Sequence, residues 1–237
     1  MLSPYRVLDL STNHSAVCGA MLADLGADVI AVEPLSGSPL RQEGPFRHDE
    51  PDAEHSLTWW SYSRNKRSVS LDITSAEGRA ALLNLVDDAD FLIESFAPGY
   101  LDSLGLGYSS LSERQPGLIM VSITPFGQEG PKSAWAASDL TIWASSGALN
   151  LTGDDDLAPV RVSVPQANLH AGAEAAVAAL VALAARQRDG RGQHIDVSAQ
   201  TASMIATQSF ILAPAWNDLS LARIGGGLRL GPLFVRF

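Results

Sequence analysis

Apolar positions along this chain fall into short blocks separated by polar, turn-rich stretches, and the blocks alternate between two periods. "RVLDL" (6–10) reads as a short buried strand. "SAVCGAMLADLGA" (15–27) follows with apolar residues at helical spacing and stops at Gly26, a common helix terminator. "DVIAVE" (28–33) is a second strand, rich in β-branched residues, and "RSVSLDI" (67–73) alternates like a third. "TSAEGRAALLNLVDDA" (74–89) opens with Thr74 and Glu77 at capping-box spacing and then runs amphipathic. "DFLIESF" (90–96) and "GLIMVSITPFG" (117–127) supply a fourth and a fifth strand. Strands alternating with helices predict parallel βαβ units, hence an α/β fold with a Rossmann-like, doubly wound, mainly parallel sheet.

After Gly130 the pattern changes. "ASDLTIWASSGALNLTG" (137–153) predicts a helix and turn, and "DDDLAPVRVSVP" (154–165) an acidic loop leading into a short extended run. Residues 168–188 form a long Ala-rich helix, "RDGRGQHIDVS" a Gly-rich turn into a strand, and "AQTASMIATQSFIL" (199–212) another helix. The stretch "RIGGGLRLGPLFVRF" (223–237) ends on an apolar, strand-like run with no turn or polar tail. A domain seldom finishes on an unpaired apolar strand. The expected organisation is therefore a large domain over 1–212, then a linker and the start of a truncated second domain over 213–237.

Composition narrows the function classes. The 237 residues are 46% hydrophobic and 18% charged, as in globular proteins, and carry a net charge of −10. That charge disfavours general binding to nucleic acid or to an anionic membrane, although 16 Lys and Arg leave room for a local basic patch. Cys18 stands alone, so no intrachain disulfide forms, and a reducing cytoplasm is the expected compartment. At helical spacing among apolar neighbours it reads as a small buried hydrophobe. "MLSPYRVLDL" lacks the charged and apolar regions of a signal peptide. The longest apolar run, 175–185, is about half the ~20 residues that a membrane span needs.

Glu33 closes the second strand as an acid does in dinucleotide-binding folds, but the first turn, "STNHSAVCG", lacks the G-x-G-x-x-G that such folds need. His14, His48, His55, His170 and His194 are scattered without metal-ligand spacing, so no metal site is expected. Neither a G-x-S-x-G elbow nor a Walker-type loop is present. Arg64, Lys66 and Arg67 cluster before a strand in an acidic chain, which fits a phosphate clamp or, more plainly, a solvated turn. "ESFAPGYLDSLGLG" (94–107) places Pro98 and Gly99 in a turn at the sheet's carboxyl edge, where open α/β sheets bind ligands. "VPQANLHAG" (164–172) sets Asn168 and His170 at the entrance to the most apolar helix, as a helix cap or as an active site built at a helix start.

Read together, these stretches resemble the family III CoA-transferases, the CaiB/BaiF family. "LADLGADVIAVEP" with Arg41 nearby is similar to the family's N-terminal signature, and "NKRSVSLDITSAEGRAALLNLVDDADFLIESFAPGYLDSLGLGY" to its central block. "GLIMVSITPFGQEGP" and "ALVALAARQRDGRGQHIDVSAQTA" match further blocks, so the resemblance runs in order over nearly all of residues 5–237. It implies movement of coenzyme A between an acyl-CoA and a carboxylic acid, with CoA as substrate and no tightly bound cofactor. A branch of relatives racemises 2-methylacyl-CoA thioesters. It also implies full-length chains that interlock as a homodimer, or a paired homologous module. In such transferases an aspartate attacks the acyl-CoA, forms a mixed anhydride and then becomes an aspartyl-CoA thioester.

The resemblance puts that aspartate four residues before a glycine at the start of the long helix. Here the position is Asn168, with Gly172 four on. A carboxamide is a far weaker nucleophile than a carboxylate, so the anhydride route is expected to be closed unless another carboxylate substitutes. Asp139 is the best substitute, Glu174 a lesser one, and His170 a general base or a solvent-facing neighbour of the cap. The racemase branch would want a histidine before Asp139, where this chain has Ser138. For CoA itself the resemblance implies phosphates at Arg41, Lys66 and Arg67 and adenine near Phe96. Ser95 replaces the usual asparagine of the turn, and Ser103 stands where some transferases carry a CoA-binding arginine. Two rival readings follow: a non-catalytic, CoA-binding or scaffolding half working beside an intact module, and a truncated product with exposed apolar surface.

Overall fold

The computed structural model describes residues 1–154 and 156–208 in full, together with the backbone of 227–230 and 233–236. Six strands, β1 (Arg6–Leu10), β2 (Asp28–Glu33), β3 (Lys66–Ser70), β4 (Phe91–Glu94), β5 (Ile119–Thr124) and β6 (His194–Ser198), form one sheet in the order β3-β2-β1-β4-β5-β6. Every neighbouring pair is parallel. This is the predicted doubly wound α/β fold, with its order reversing between β1 and β4.

The inner strands explain themselves. Val7, Leu8, Phe91, Leu92, Ile93, Ile119 and Val121 are all fully buried, because a parallel sheet with two covered faces needs apolar side chains on both. One face carries α1 (Val17–Asp24), α6 (Asp139–Ser145), α7 (Gln166–Asp189) and α8 (Ala199–Ala206), packed on Val7, Phe91, Ile93 and Val121. The other carries α3 (Ala76–Val86), α4 (Tyr100–Ser103) and α5 (Tyr108–Arg114), packed on Leu8, Leu10, Leu92 and Met120. A further helix, α2 (Leu57–Ser63), precedes β3. Cys18 is sealed in the first core, and burial raises its thiol well above the ordinary range, which fits the inert hydrophobe expected of it.

Helix α7 lies against the sheet on alanines. Ala167, Ala171, Ala175, Ala179 and Ala182 recur every three or four residues and are all buried. Gly172 belongs to the same stripe. A Cβ there would overlap a Val17 methyl and the Ser15 carbonyl, so only glycine lets α7 approach the segment before α1. At 24 residues α7 is long and apolar enough to cross a membrane, unlike the shorter run seen in the sequence, but its alanine face is core.

Several boundaries differ from expectation. The segment 15–27 splits into a 3-10 turn, His14–Ala16, whose Asn13 cap accepts from Ser15 N, and then α1. α3 is capped by Ser75, whose Oγ accepts from Gly78 N, while Thr74 turns back onto Asp72. α7 begins at Gln166 with Pro165 before it, which moves Asn168 from the cap into the first turn. The predicted linker falls largely on residues 209–226, outside the described residues. The apolar end is not an unpaired strand, because β7 (Gly227–Leu230) pairs antiparallel with β8 (Leu233–Arg236).

Candidate active site

Beside the strand-order reversal, at the carboxyl ends of β1 to β4, a cavity of about 440 Å³ opens in the sheet edge. Leu10 ends β1 and Ser11 and Thr12 follow it, Pro34 and Leu35 follow β2, Asp72 and Ile73 follow β3, and Phe96 follows β4. The hydroxyls of Ser11 and Ser63 are buried in this lining without a protein partner, which leaves two donors for a ligand.

Lys66 reaches the cavity floor and is held there. Its Nζ lies 2.7 Å from Asp9 Oδ2 and donates to Ala16 O at 2.9 Å, with the two charged side chains only 2% and 3% exposed. Gly19 makes room for this pair, since a Cβ there would overlap the Asp9 carboxylate. Arg41, in the 3-10 turn Pro39–Gln42, clamps Glu33 with two hydrogen bonds of 2.6 and 2.9 Å and reaches Glu54 at 2.9 Å. Its guanidinium stacks 4.2 Å from the Trp59 ring centroid. Burial works against the Glu33 charge, but the Arg41, Ser68 and Ser38 hydrogen bonds outweigh it and hold the carboxyl below its ordinary value. Glu33 and Trp59 line the cavity, and Arg41 fixes both from behind.

The basic cluster seen in the sequence is dispersed. Arg64 pairs with Asp24 at 3.0 Å and Arg67 with Asp28 at 2.6 Å, and Arg67 is 62% exposed. Lys66 and Arg67 are neighbours on a strand, so they point to opposite faces. Phe96 and Tyr100 form the cavity's aromatic wall with ring centroids 4.9 Å apart. Ser95 Oγ accepts from Thr12 N at 2.9 Å and so ties the turn after β4 to the loop after β1. Ser103 is exposed, and its Oγ donates to Tyr100 O at 2.7 Å.

The structure does bring Asn168, Asp139 and His170 together. Asp139 opens α6 behind a Ser138–Thr141 capping box. Its Oδ1 accepts from Asn168 N at 3.2 Å, so an acid from one helix start serves an unsatisfied amide of the next. His170 is half-buried and stacks on Trp143 of α6, 5.7 Å between ring centroids and 9° from coplanar. The loop after β1 joins both regions: Ser11 and Thr12 line the cavity, and Ser15 packs against Gly172.

A second cavity, of about 390 Å³, lies across the turn after β4 and includes Glu94, Asp102, Tyr108, Ser122, Gln128 and His194. Burial pushes the Glu94 carboxyl up to about 7, against hydrogen bonds from Ser122 and from the Phe96 backbone. His194 Nε2 is 2.9 Å from Ser122 Oγ, its ring stacks on Tyr108 at 5.3 Å, and burial lowers its pKa. Nothing in the residue pattern marked Glu94, Asp9 or Glu33 as buried charges except an acid inside or closing an apolar strand. Among the described residues, no group of three or more His, Cys, Asp or Glu is placed to hold a metal ion.

The model of CoA-transferase family III matches residues 2–229. The chain belongs to CoA-transferase family III. This family III chain is 41% identical over 229 residues to the succinyl-CoA:(R)-benzylsuccinate CoA-transferase subunit BbsE of Thauera aromatica, covering 97% of this chain and 55% of that one. It is 37% identical to the succinyl-CoA–D-citramalate CoA-transferase of Chloroflexus aurantiacus, over 89% of this chain and 52% of the relative. A solved CaiB/BaiF family protein from Brucella suis superposes with a TM-score of 0.87 at 32% identity, covering 97% of this chain and 64% of that one. The family III chain thus spans about half the length of the curated relatives it matches.

Proposed function

We propose that this chain is the large, CoA-binding domain of a cytoplasmic family III CoA-transferase, which moves CoA between an acyl-CoA and a carboxylic acid. In this reading it works beside a homologous module that supplies the nucleophilic carboxylate. The observation that carries the proposal is Asn168 in the first turn of α7, where the family resemblance puts the nucleophile, with Asp139 accepting from its backbone N–H.

The chemistry needs a carboxylate. Its oxygen adds to the thioester carbonyl and expels CoA thiolate, leaving a mixed anhydride. The thiolate then attacks the protein-side carbonyl, releases the donor acid and leaves an enzyme CoA thioester. The acceptor carboxylate attacks that thioester in turn, and CoA leaves and returns to the acceptor's carbonyl. A neutral amide cannot begin this sequence at a useful rate. What this chain supplies is binding: the cavity at the β1–β4 edge takes the nucleotide end of CoA, with Phe96 and Tyr100 against the adenine and the Ser11 and Ser63 hydroxyls as donors. Arg41 and Lys66, each already paired with an acid, hold the walls and floor. Succinyl-CoA is the natural probe, since BbsE and the citramalate enzyme are named for it. BbsE and the two malate CoA-transferase chains of Chloroflexus aurantiacus are named as subunits, which supports a paired arrangement.

A second reading has one specific observation behind it. Asp139 Oδ1 is 3.2 Å from Asn168 N, close enough for its carboxylate to replace the missing one. The test is CoA transfer from succinyl-CoA to a panel of acids by the full-length protein, with and without its homologous partner. The proposal expects activity only with the partner, or after Asn168→Asp. Activity of the unpartnered protein that vanishes in Asp139→Asn supports the second reading and overturns the first.

A further inference from the structure

Glu94 lies between the two cavities. It closes β4, is 4% exposed, and its Oε2 accepts from Phe96 N at 2.7 Å. Phe96 in turn is part of the aromatic wall of the first cavity, against Tyr100. The turn from 95 to 99 is thereby tied at two points: Ser95 to Thr12 of the loop after β1, and Phe96 to Glu94 beneath it.

We infer that Glu94 is a positioning residue for CoA binding, a buried latch whose carboxylate sets the Phe96 wall of the first cavity from the floor of the second. This rests on the proposal that the first cavity takes CoA. The Phe96 N–H needs an acceptor at this point, and nothing obliges that acceptor to be an acid. The substitution Glu94→Gln keeps an acceptor oxygen for it, whereas Glu94→Ala removes the hydrogen bond.

The acid adds pH dependence. Around the carboxyl stand Ser122 and Gln128, then Asp102 of α4, Tyr108 of α5, and His194 and Asp196 of β6, with Glu129 also in the lining. Gln128 Nε2 is 3.5 Å from Glu94 Oε1 and its backbone N–H donates to Asp196 at 2.8 Å, while the Ser122 side chain also bonds the Glu94 carboxyl. Arg191 acts on Tyr108. Among the described residues no Lys or Arg lines this cavity, so burial and the acids around Glu94 favour its protonated form near neutrality. When the proton leaves, the Phe96 N–H bond becomes charge-assisted and the turn is held more firmly. CoA affinity is therefore expected to rise as pH passes from 6 to 8.

The experiment pairs two readouts on the full-length protein, as wild type, Glu94→Gln and Glu94→Ala. The first is amide hydrogen exchange at Phe96 with no ligand present. The second is calorimetric binding of coenzyme A at pH 6 and pH 8. Expected are about tenfold faster exchange at Phe96 and about tenfold weaker CoA binding in Glu94→Ala, one lost hydrogen bond to a charged group in each case. Glu94→Gln should restore both to the levels of the protonated wild type at pH 6 and keep only the pH dependence that the CoA phosphates themselves contribute. Wild-type exchange and affinity in Glu94→Ala, or a pH dependence in Glu94→Gln as large as that of wild type, would overturn the latch. If wild type binds no CoA, the functional proposal fails instead, and the exchange measurement still decides whether Glu94 holds the turn.

Discussion

At residue 168 the backbone N–H donates to Asp139 of the neighbouring helix, and the side chain is a carboxamide where the family resemblance puts a carboxylate, which is the replacement the proposed function rests on. Two other single residues lead to tests of their own. Lys66 and Asp9 form an ion pair sealed from solvent, so Lys66→Ala would strand a buried carboxylate. A loss of about 3 kcal/mol is expected, read from the urea midpoint, with part of it recovered when Asp9→Ala is added. Lys66 acting as a solvent-facing phosphate ligand would instead leave the midpoint unmoved. Glu94 gives a pH signature. The unfolded chain releases this proton near 4.5 and the folded chain near 7. Between those values the folded state binds more protons, so stability falls as pH rises, and the penalty is complete above about pH 7. A difference of this size corresponds to about 3 kcal/mol. Glu94→Gln should therefore flatten the decline in thermal midpoint from pH 5 to pH 8, and an unchanged decline would refute the assignment.

At the scale of elements, the long apolar strands and the two principal helices were legible because period and burial agree. "DVIAVE" is β2 to the residue, and the Ala-rich run is α7 with two residues added at its start and one at its end. Two short helices were not legible. α2, "LTWWSYS", buries none of its residues and carries no apolar period, and α4 spans a single turn. The site was legible in parts. The family resemblance brought Asn168 and Asp139 forward and the helix start His170, whereas the spread of Arg64, Lys66 and Arg67 into three ion pairs depends on Arg64 lying at the end of α2, on the opposite strand faces of Lys66 and Arg67, and on Asp9, Asp24 and Asp28. α7 also supplies a mutational test. Gly172→Ala would drive a methyl into Val17 and Ser15 and lift the start of the helix, an overpacking cost of about 1–3 kcal/mol. Denaturant unfolding should show that loss, and CoA-transfer activity of the partnered protein should fall with it because Asn168 sits on the displaced turn and its backbone N–H bonds to Asp139 of α6.

For the molecule as a whole, the described surface keeps apolar side chains in water. Val177 and Val181 of α7 are 54% and 64% exposed, Ile205 of α8 is 46% exposed, and Trp135 is 59% exposed. Such exposure suits packing against the homologous module of the proposed function. This 237-residue chain on its own is expected to bind a hydrophobic dye and to self-associate in light scattering. Adding the homologous module should suppress both. A monodisperse monomer without dye binding would argue against the paired arrangement.

The most direct test is intact-mass and peptide mapping of the full-length protein, together with its partner, after incubation with succinyl-CoA. The account predicts no acyl or CoA adduct on residue 168 of the natural sequence, and an adduct there once Asn168→Asp restores the carboxylate. An adduct mapped to Asn168 itself in the unsubstituted protein would contradict it.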